Sequence, residues 1–194
     1  MKKYELTDET IVKYGSTLHR IKALKDFGNV KTGELGGYIE SERNLSQEGN
    51  CWVYGNAKVC GNAWVCGNAE VYDNAEVYDN AKVCGNAWVC GDAKVCGNAW
   101  VCGDAWVCGN AWVCGDAWVC GNADYITIKG LGSKYRNTTI FRTKENIAVK
   151  CGCFYGTLAE FVDKVKETHG NSKFAKEYLA LIDLVKIHFE LEDK

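Results

Sequence analysis

From Cys51 to Asn122 apolar residues return every sixth position, Ala (Cys at the first) at 51, 57, 63 and on to 117, and Val at 53, 59, 65 and on to 119. In each hexad the four residues from Ala alternate with period two, the pattern of a short strand with one buried face. Pairs such as Ala63 and Val65, or Ala99 and Val101, therefore point inward, while the Trp, Lys or Glu between them and the Cys or Tyr after them point outward. The remaining two residues, Gly-Asn, Gly-Asp or Asp-Asn, tolerate positive φ and turn a corner at low steric cost. Strand and corner in unbroken alternation predict a β-solenoid.

The six-residue phase extends backwards through Ile39, Leu45, Cys51 and Ala57, so the solenoid is expected to span 39–126 with larger residues filling the small inward slot of its first coil. Residues 1–38, with STLHRIKAL and a glycine-rich GELGGY turn, predict a small β-rich cap over the open end, where strand edges and core would otherwise be exposed. Residues 127–194 read as a C-terminal α/β module. YITIKG (from Tyr125), TTIFRT and NIAVKCG are short strands separated by the turn segments GLGSKYRN and KEN. A helix follows with a Thr157–Glu160 capping box, an apolar face of Leu158, Phe161, Val162 and Val165, and a stop at Gly170. A second helix carries Phe174, Tyr178, Leu181, Ile182, Val185 and Phe189 on one stripe. Neither helix buries its stripe alone, so both are expected to pack on the last strands, on each other or on a second subunit.

Formal net charge is −2, from 23 basic and 25 acidic residues, which gives no general attraction to phosphate backbones or anionic membranes. Nucleic acid and membrane are therefore not the expected partners. No apolar run reaches the roughly 18 residues of a membrane helix, and the two lysines at the start have no apolar run behind them. The expected location is cytoplasmic, where the 12 cysteines would stay reduced. The 21 glycines and the absence of proline leave the turns to Gly, Asn and Asp.

Val65-Cys66-Gly67-Asn68-Ala69-Glu70 resembles the hexapeptide-repeat motif of left-handed β-helix proteins, with Cys or Tyr where that family more often has a small residue. The resemblance covers residues 39–126 and implies three-sided coils of 18 residues, giving about five coils and a rod of roughly 24 Å at about 4.8 Å per layer. A flat two-sided coil of 12 residues is the alternative. It would match the alternation of Asn at 50, 62, 74, 86, 98, 110 and 122 with Asp at 92, 104 and 116. The three-sided coil is the preferred reading. Residues 18–57 and 132–161 resemble segments of prophage-type proteins with YGNA repeats, which implies a phage-related origin and no particular reaction.

Stacked coils turn outward residues into ladders. In the three-sided register Cys66, Cys84, Cys102 and Cys120 form one column, Cys60, Tyr78, Cys96 and Cys114 a second, and Tyr54, Tyr72, Cys90 and Cys108 a third. Parallel Cβ atoms at the layer spacing exceed the usual disulfide Cβ distance of about 3.5–4.5 Å, so reduced thiols are expected. A soft metal bridging thiolates, or a response to oxidation, is an alternative, although a straight column does not converge on one ion. Trp52, Trp64, Trp88, Trp100, Trp106, Trp112 and Trp118 form either an exposed interaction face or a structural ladder. The choice of Trp with Cys has no reason in folding at this level, because Thr, Val or Tyr suit an outward strand position equally well.

The family resemblance implies acyltransferase activity for many relatives, with a histidine general base and an inserted loop. The solenoid here has neither: His19, His169 and His188 lie outside it. Cys151-Gly152-Cys153 reads as two structural thiols on one side of a strand. No phosphate-binding loop, serine nucleophile motif or carboxylate pair is present. The expected function is a non-enzymatic scaffold without a cofactor, binding a protein partner or a second copy; a thiol array and a degenerate acyltransferase-like enzyme are the alternatives.

Overall fold

The computed structural model describes residues 2–191 and divides into two compact units, Met1–Asn122 and Ala123–Lys194. In the first unit each hexad contributes a two-residue strand, from Trp52–Val53 to Trp118–Val119. These strands pair in parallel with the equivalent residues 18 positions away, as in Trp88 with Glu70 and Trp106, Lys94 with Glu76 and Trp112, and Trp100 with Lys82 and Trp118. Three sheets result, and the solenoid is three-sided with about five turns. The 12-residue coil is thereby overturned. Two facing sheets would stand about 10 Å apart, a gap that opposed Ala and Val side chains do not fill, whereas three walls bring them together on one axis. From Ala57 and Val59 to Ala117 and Val119 the inward pairs are buried.

Corners depend on left-handed backbone. Gly85 has φ +70°, and a Cβ there would lie 2.9 Å from both the amide nitrogen and the carbonyl oxygen of Gly103 in the next coil. Asp73 and Asp79 occupy equivalent corners at φ 57° and 59°. Their carboxylates offset the strain by accepting from the Gly91 and Gly97 N–H groups at 3.0 and 3.1 Å. The following corner residues form one-way amide ladders: Asn62 donates to Asn80, Asn80 to Asn98, and Asn98 to Asp116, at 3.0–3.1 Å. Asp116 accepts and has no amide hydrogen to pass on.

The cap is a hairpin, Tyr4–Lys13 with Ser16–Ala23, followed by the strand Leu35–Ile39, which joins the hairpin antiparallel and the Lys58–Val59 strand in parallel. One expectation holds only in part and another fails. GELGGY turns only at its first glycine, Gly33, at φ 86°; its other two glycines lie in the Leu35–Ile39 strand, where a Cβ on Gly36 or Gly37 would meet backbone oxygen at 2.6 Å. Ile39 and Leu45 do not fill the small inward slot: they align with Val59 and Val65, and Gly37 lies over Ala57. Two extra residues between Leu45 and Cys51 restore the phase, since Trp52 pairs with Glu70 at the regular interval of 18.

The hairpin tip lies along the solenoid. The Lys13 ammonium is 2.8 Å from the Glu76 carboxylate, and the Tyr14 ring packs on Tyr78 with centroids 4.9 Å apart. Burial alone would raise the Glu76 pKa, but hydrogen bonds from Lys13 and Tyr14 and the charge of Lys94 hold it below the ordinary value.

The second unit is a four-stranded antiparallel sheet, Tyr125–Leu131, Arg136–Arg142, Ile147–Cys151 and Phe154–Thr157, followed by helices α1 (Leu158–His169) and α2 (Lys173–His188). The expected capping box at Thr157 and Glu160 and the stop at Gly170 are both present. The apolar faces of the helices pack with Ile140, Val149 and Cys151 of the sheet. Cys151 and Cys153 do not share one side of a strand. Gly152, at φ 59°, turns the chain between two strands, so Cys151 is buried and Cys153 exposed. No helix among the described residues is long and apolar enough to cross a membrane.

Candidate functional site

The strand pairing distributes the tryptophans over all three faces of the solenoid. Trp52, Trp88 and Trp106 stand on one, Trp64, Trp100 and Trp118 on the second, and Trp112 on the third. A single face of seven exposed indoles does not form. Trp52 is fully buried between Tyr4 and Phe27, with ring centroids 6.0 and 5.3 Å away. Its indole N–H is buried without a hydrogen-bond partner among the described residues. Trp64, Trp88 and Trp106 are 43%, 42% and 50% exposed.

The Trp–Cys combination has a local reason that the sequence pattern alone did not supply. At Trp88, Trp100, Trp106 and Trp112 the tryptophan at position i lies over the residue at i−16, the outward Cys or Tyr of the preceding coil. The indole N–H of Trp100 donates to Cys84 Sγ at 2.9 Å, and those of Trp106 and Trp112 to Cys90 and Cys96 at 3.2 Å. Where that position is Tyr72, Trp88 meets it edge-to-face at 5.7 Å. Trp100 and Trp112 are also overlaid by the ammonium groups of Lys82 and Lys94 from the preceding coil, 5.7 and 5.8 Å from the ring centroids. These two tryptophans act as buttresses between layers. Thr or Val offers neither the indole N–H nor the ring.

One aromatic run is continuous along the solenoid. Tyr54 stacks on Tyr72 at 4.4 Å, Tyr72 meets Trp88, and Trp88 meets Trp106 at 5.4 Å. The Glu70 carboxylate accepts from both tyrosine hydroxyls and so fixes the start of the run. Its far part carries two of the three well-exposed indoles.

The thiol columns form as the three-sided register requires, with one departure from the expectation of free thiols. Cys102 and Cys120 are joined by a disulfide. Their Cα atoms stand only 4.4 Å apart, closer than the regular layer spacing and at the near edge of the bondable range of about 4.4–6.8 Å. The other ten cysteines form no disulfide. They differ in acidity: burial pushes Cys60 and Cys66 up to about 11. Cys96 moves the other way, because hydrogen bonds from Cys114, Tyr78 and Trp112 together outweigh its burial and hold its thiol below the ordinary range. Among the described residues no three His, Cys, Asp or Glu side chains converge to hold a metal ion. Cys90 and Cys108 occupy the column that begins with Tyr54 and Tyr72, and Cys114 closes the column of Cys60 and Cys96.

The histidines lie apart. His19 Nδ1 is 3.2 Å from the Thr7 carbonyl oxygen, His169 stacks on Tyr178 with centroids 5.8 Å apart, and His188 Nε2 is 2.9 Å from the Ala123 carbonyl oxygen. The two C-terminal ones end α1 and α2, where a positive charge suits the helix dipole.

No family model matches the chain. Over 62 residues it is 40% identical to a protein of Escherichia coli (strain K12) named an uncharacterized acetyltransferase, YdcK. The match covers 28% of this chain and 19% of that protein, so the chain spans less than a fifth of that relative's length. The solenoid is a hexapeptide-repeat fold. Its hexads run from Cys51 to Asn122 without an inserted loop and without a histidine.

Proposed function

We propose that the chain is a phage-related, non-enzymatic scaffold, a rigid β-solenoid that presents an aromatic strip to another protein surface. The observation that carries this reading is the run from Tyr54 through Tyr72 and Trp88 to Trp106. Aromatic rings fixed on a rigid frame lose little conformational entropy on binding, and tryptophan and tyrosine dominate interface energetics. The occupant tested first is a second copy of the chain. Sedimentation velocity over a wide concentration range is expected to show reversible association that is lost in Trp88→Thr/Trp106→Thr with the melting profile kept. Association unchanged by the double substitution refutes this use of the strip.

The named acetyltransferase relative favours a second reading, an enzyme that transfers an acetyl group. Saturable binding of acetyl-CoA, followed by acetyl transfer to an amine or hydroxyl acceptor, would establish it in place of the scaffold.

A further inference from the structure

The second unit contains a cleft of about 310 Å³ between α1 and two turns, near residues 132–136 and 151–154. Its two sides differ in chemistry. Phe154, Phe161 and Val165 give an apolar floor, and Lys134, Arg136 and Lys164 stand at the edge, with no Asp or Glu in the lining among the described residues. Of the carboxylates close by in sequence, Glu167 accepts from Lys164 itself at 2.8 Å and partly neutralises that cation, and Glu177 accepts from the Gly132 N–H at 3.0 Å. Among the described residues neither Lys134 nor Arg136 has an ion-pair partner.

The turns are shaped to keep the cleft open. A Cβ on Gly152 would fall 2.3 Å from Arg136 Nη1, and one on Gly132 would fall 2.3 Å from the Tyr178 hydroxyl oxygen. Both glycines have positive φ, so the backbone takes the conformation that leaves room for the two side chains. Tyr178 is fixed in turn by donating to the Leu131 carbonyl at 3.3 Å.

We propose that this cleft binds a small amphiphilic carboxylate, of the medium-chain or aryl type. The carboxylate sits against Arg136 and Lys134, with Lys164 opposite, and the tail lies on Phe154, Phe161 and Val165. A planar guanidinium is suited to a carboxylate, which it can engage through two parallel hydrogen bonds. The volume lies at the small end of ligand sites, about 300–1,000 Å³, which favours a compact ligand over a cofactor. The exposed Cys153 thiol lines the same cleft and reports on its occupancy.

The test is calorimetric titration of the full chain with decanoate, using decyltrimethylammonium as a probe with the same tail and opposite charge. Protection of Cys153 from maleimide, located by peptide mass spectrometry, is measured in parallel. Saturable 1:1 binding of decanoate with slowed Cys153 labelling is expected, as is a loss of affinity of about tenfold or more in Arg136→Gln/Lys164→Gln. Should that variant fail to fold, Lys134→Glu/Lys164→Gln, changed only at exposed positions, serves instead. Absence of saturable binding, equal uptake of the cationic amphiphile, or undiminished decanoate affinity in the folded variant overturns the proposal.

Discussion

Gly85→Ala and Gly55→Ala test whether layer stacking, rather than backbone conformation alone, demands glycine at the corners. The two glycines share left-handed backbone, φ +70° and +56°, at equivalent hexad positions. An added Cβ has different surroundings in each. At Gly55 its nearest neighbour is the Asp73 carbonyl oxygen at 3.8 Å, whereas at Gly85 it meets the nitrogen and oxygen of Gly103, both at 2.9 Å. Left-handed φ costs an L-residue roughly 1–2 kcal/mol, and losing glycine's freedom in the unfolded chain returns about 0.4–1 kcal/mol. Gly55→Ala should therefore destabilise by at most about 1.6 kcal/mol. Gly85→Ala carries the same cost plus the forced separation of two layers, comparable to overpacking a core at about 1–3 kcal/mol.

The separation also stretches the adjacent ladder bond from the Asn86 N–H to the Gly103 carbonyl, 2.8 Å in the native coil. Chemical denaturation followed by circular dichroism gives the stability difference, and amide exchange at Asn86 shows whether the loss is local. Both readouts are needed because repeat proteins can unfold in parts. Equal losses in the two variants, or unchanged exchange at Asn86 in Gly85→Ala, would refute the stacking argument.

Three further outcomes follow from the columns. Trp100→Phe removes the donor to Cys84 while keeping a ring, and should cost about 1 kcal/mol and speed alkylation of Cys84; unchanged alkylation counts against the indole–thiol bond. Because Cys96 is more acidic folded than unfolded, its thiolate stabilises the fold fully above the unfolded thiol value and progressively less as pH falls through the lowered folded value. A thiolate absorbance titration of wild type against Cys96→Ser should isolate that low step, and Trp112→Phe should move it upward. Reduction of Cys102–Cys120, which closes an 18-residue interval, should cost up to about 3 kcal/mol in chain entropy and add two hydrogens to the mass; an unchanged melting profile after confirmed reduction would refute that stabilisation.

The solenoid was legible because one residue type repeats at one interval, so inward Ala and Val, outward residues and corners all agree. The slip before Cys51 was not, because Ile39 and Leu45 keep the six-residue interval on paper while lying over Val59 and Val65. Their size was the available signal: both match the valine slot better than the alanine slot, and Gly37 matches the latter. The turn at Gly152 was hidden by the apolar residues around it, which read equally well as one strand or two. The cleft of the second unit was out of reach for another reason. Its basic and aromatic residues come from four separate segments, and nothing in their local spacing shows that they meet.

The Trp–Cys pairing stands between these cases. Once a coil has 18 residues, the cysteines at 84, 90, 96 and 102 are each followed 16 residues later by a tryptophan, at 100, 106, 112 and 118. In three of these pairs, with Cys84, Cys90 and Cys96, the structure shows an indole N–H donated to the thiol. The aromatic content of the later coils is therefore in large part a bonding pattern between layers, and counting tryptophans overstates the surface offered to a partner. What distinguishes Trp88 and Trp106 is that each packs edge-to-face on an aromatic ring of the preceding coil while staying exposed. A partner using this protein as a scaffold would find there, and not on the half-buried Trp100 or Trp112, rings that are both fixed and reachable.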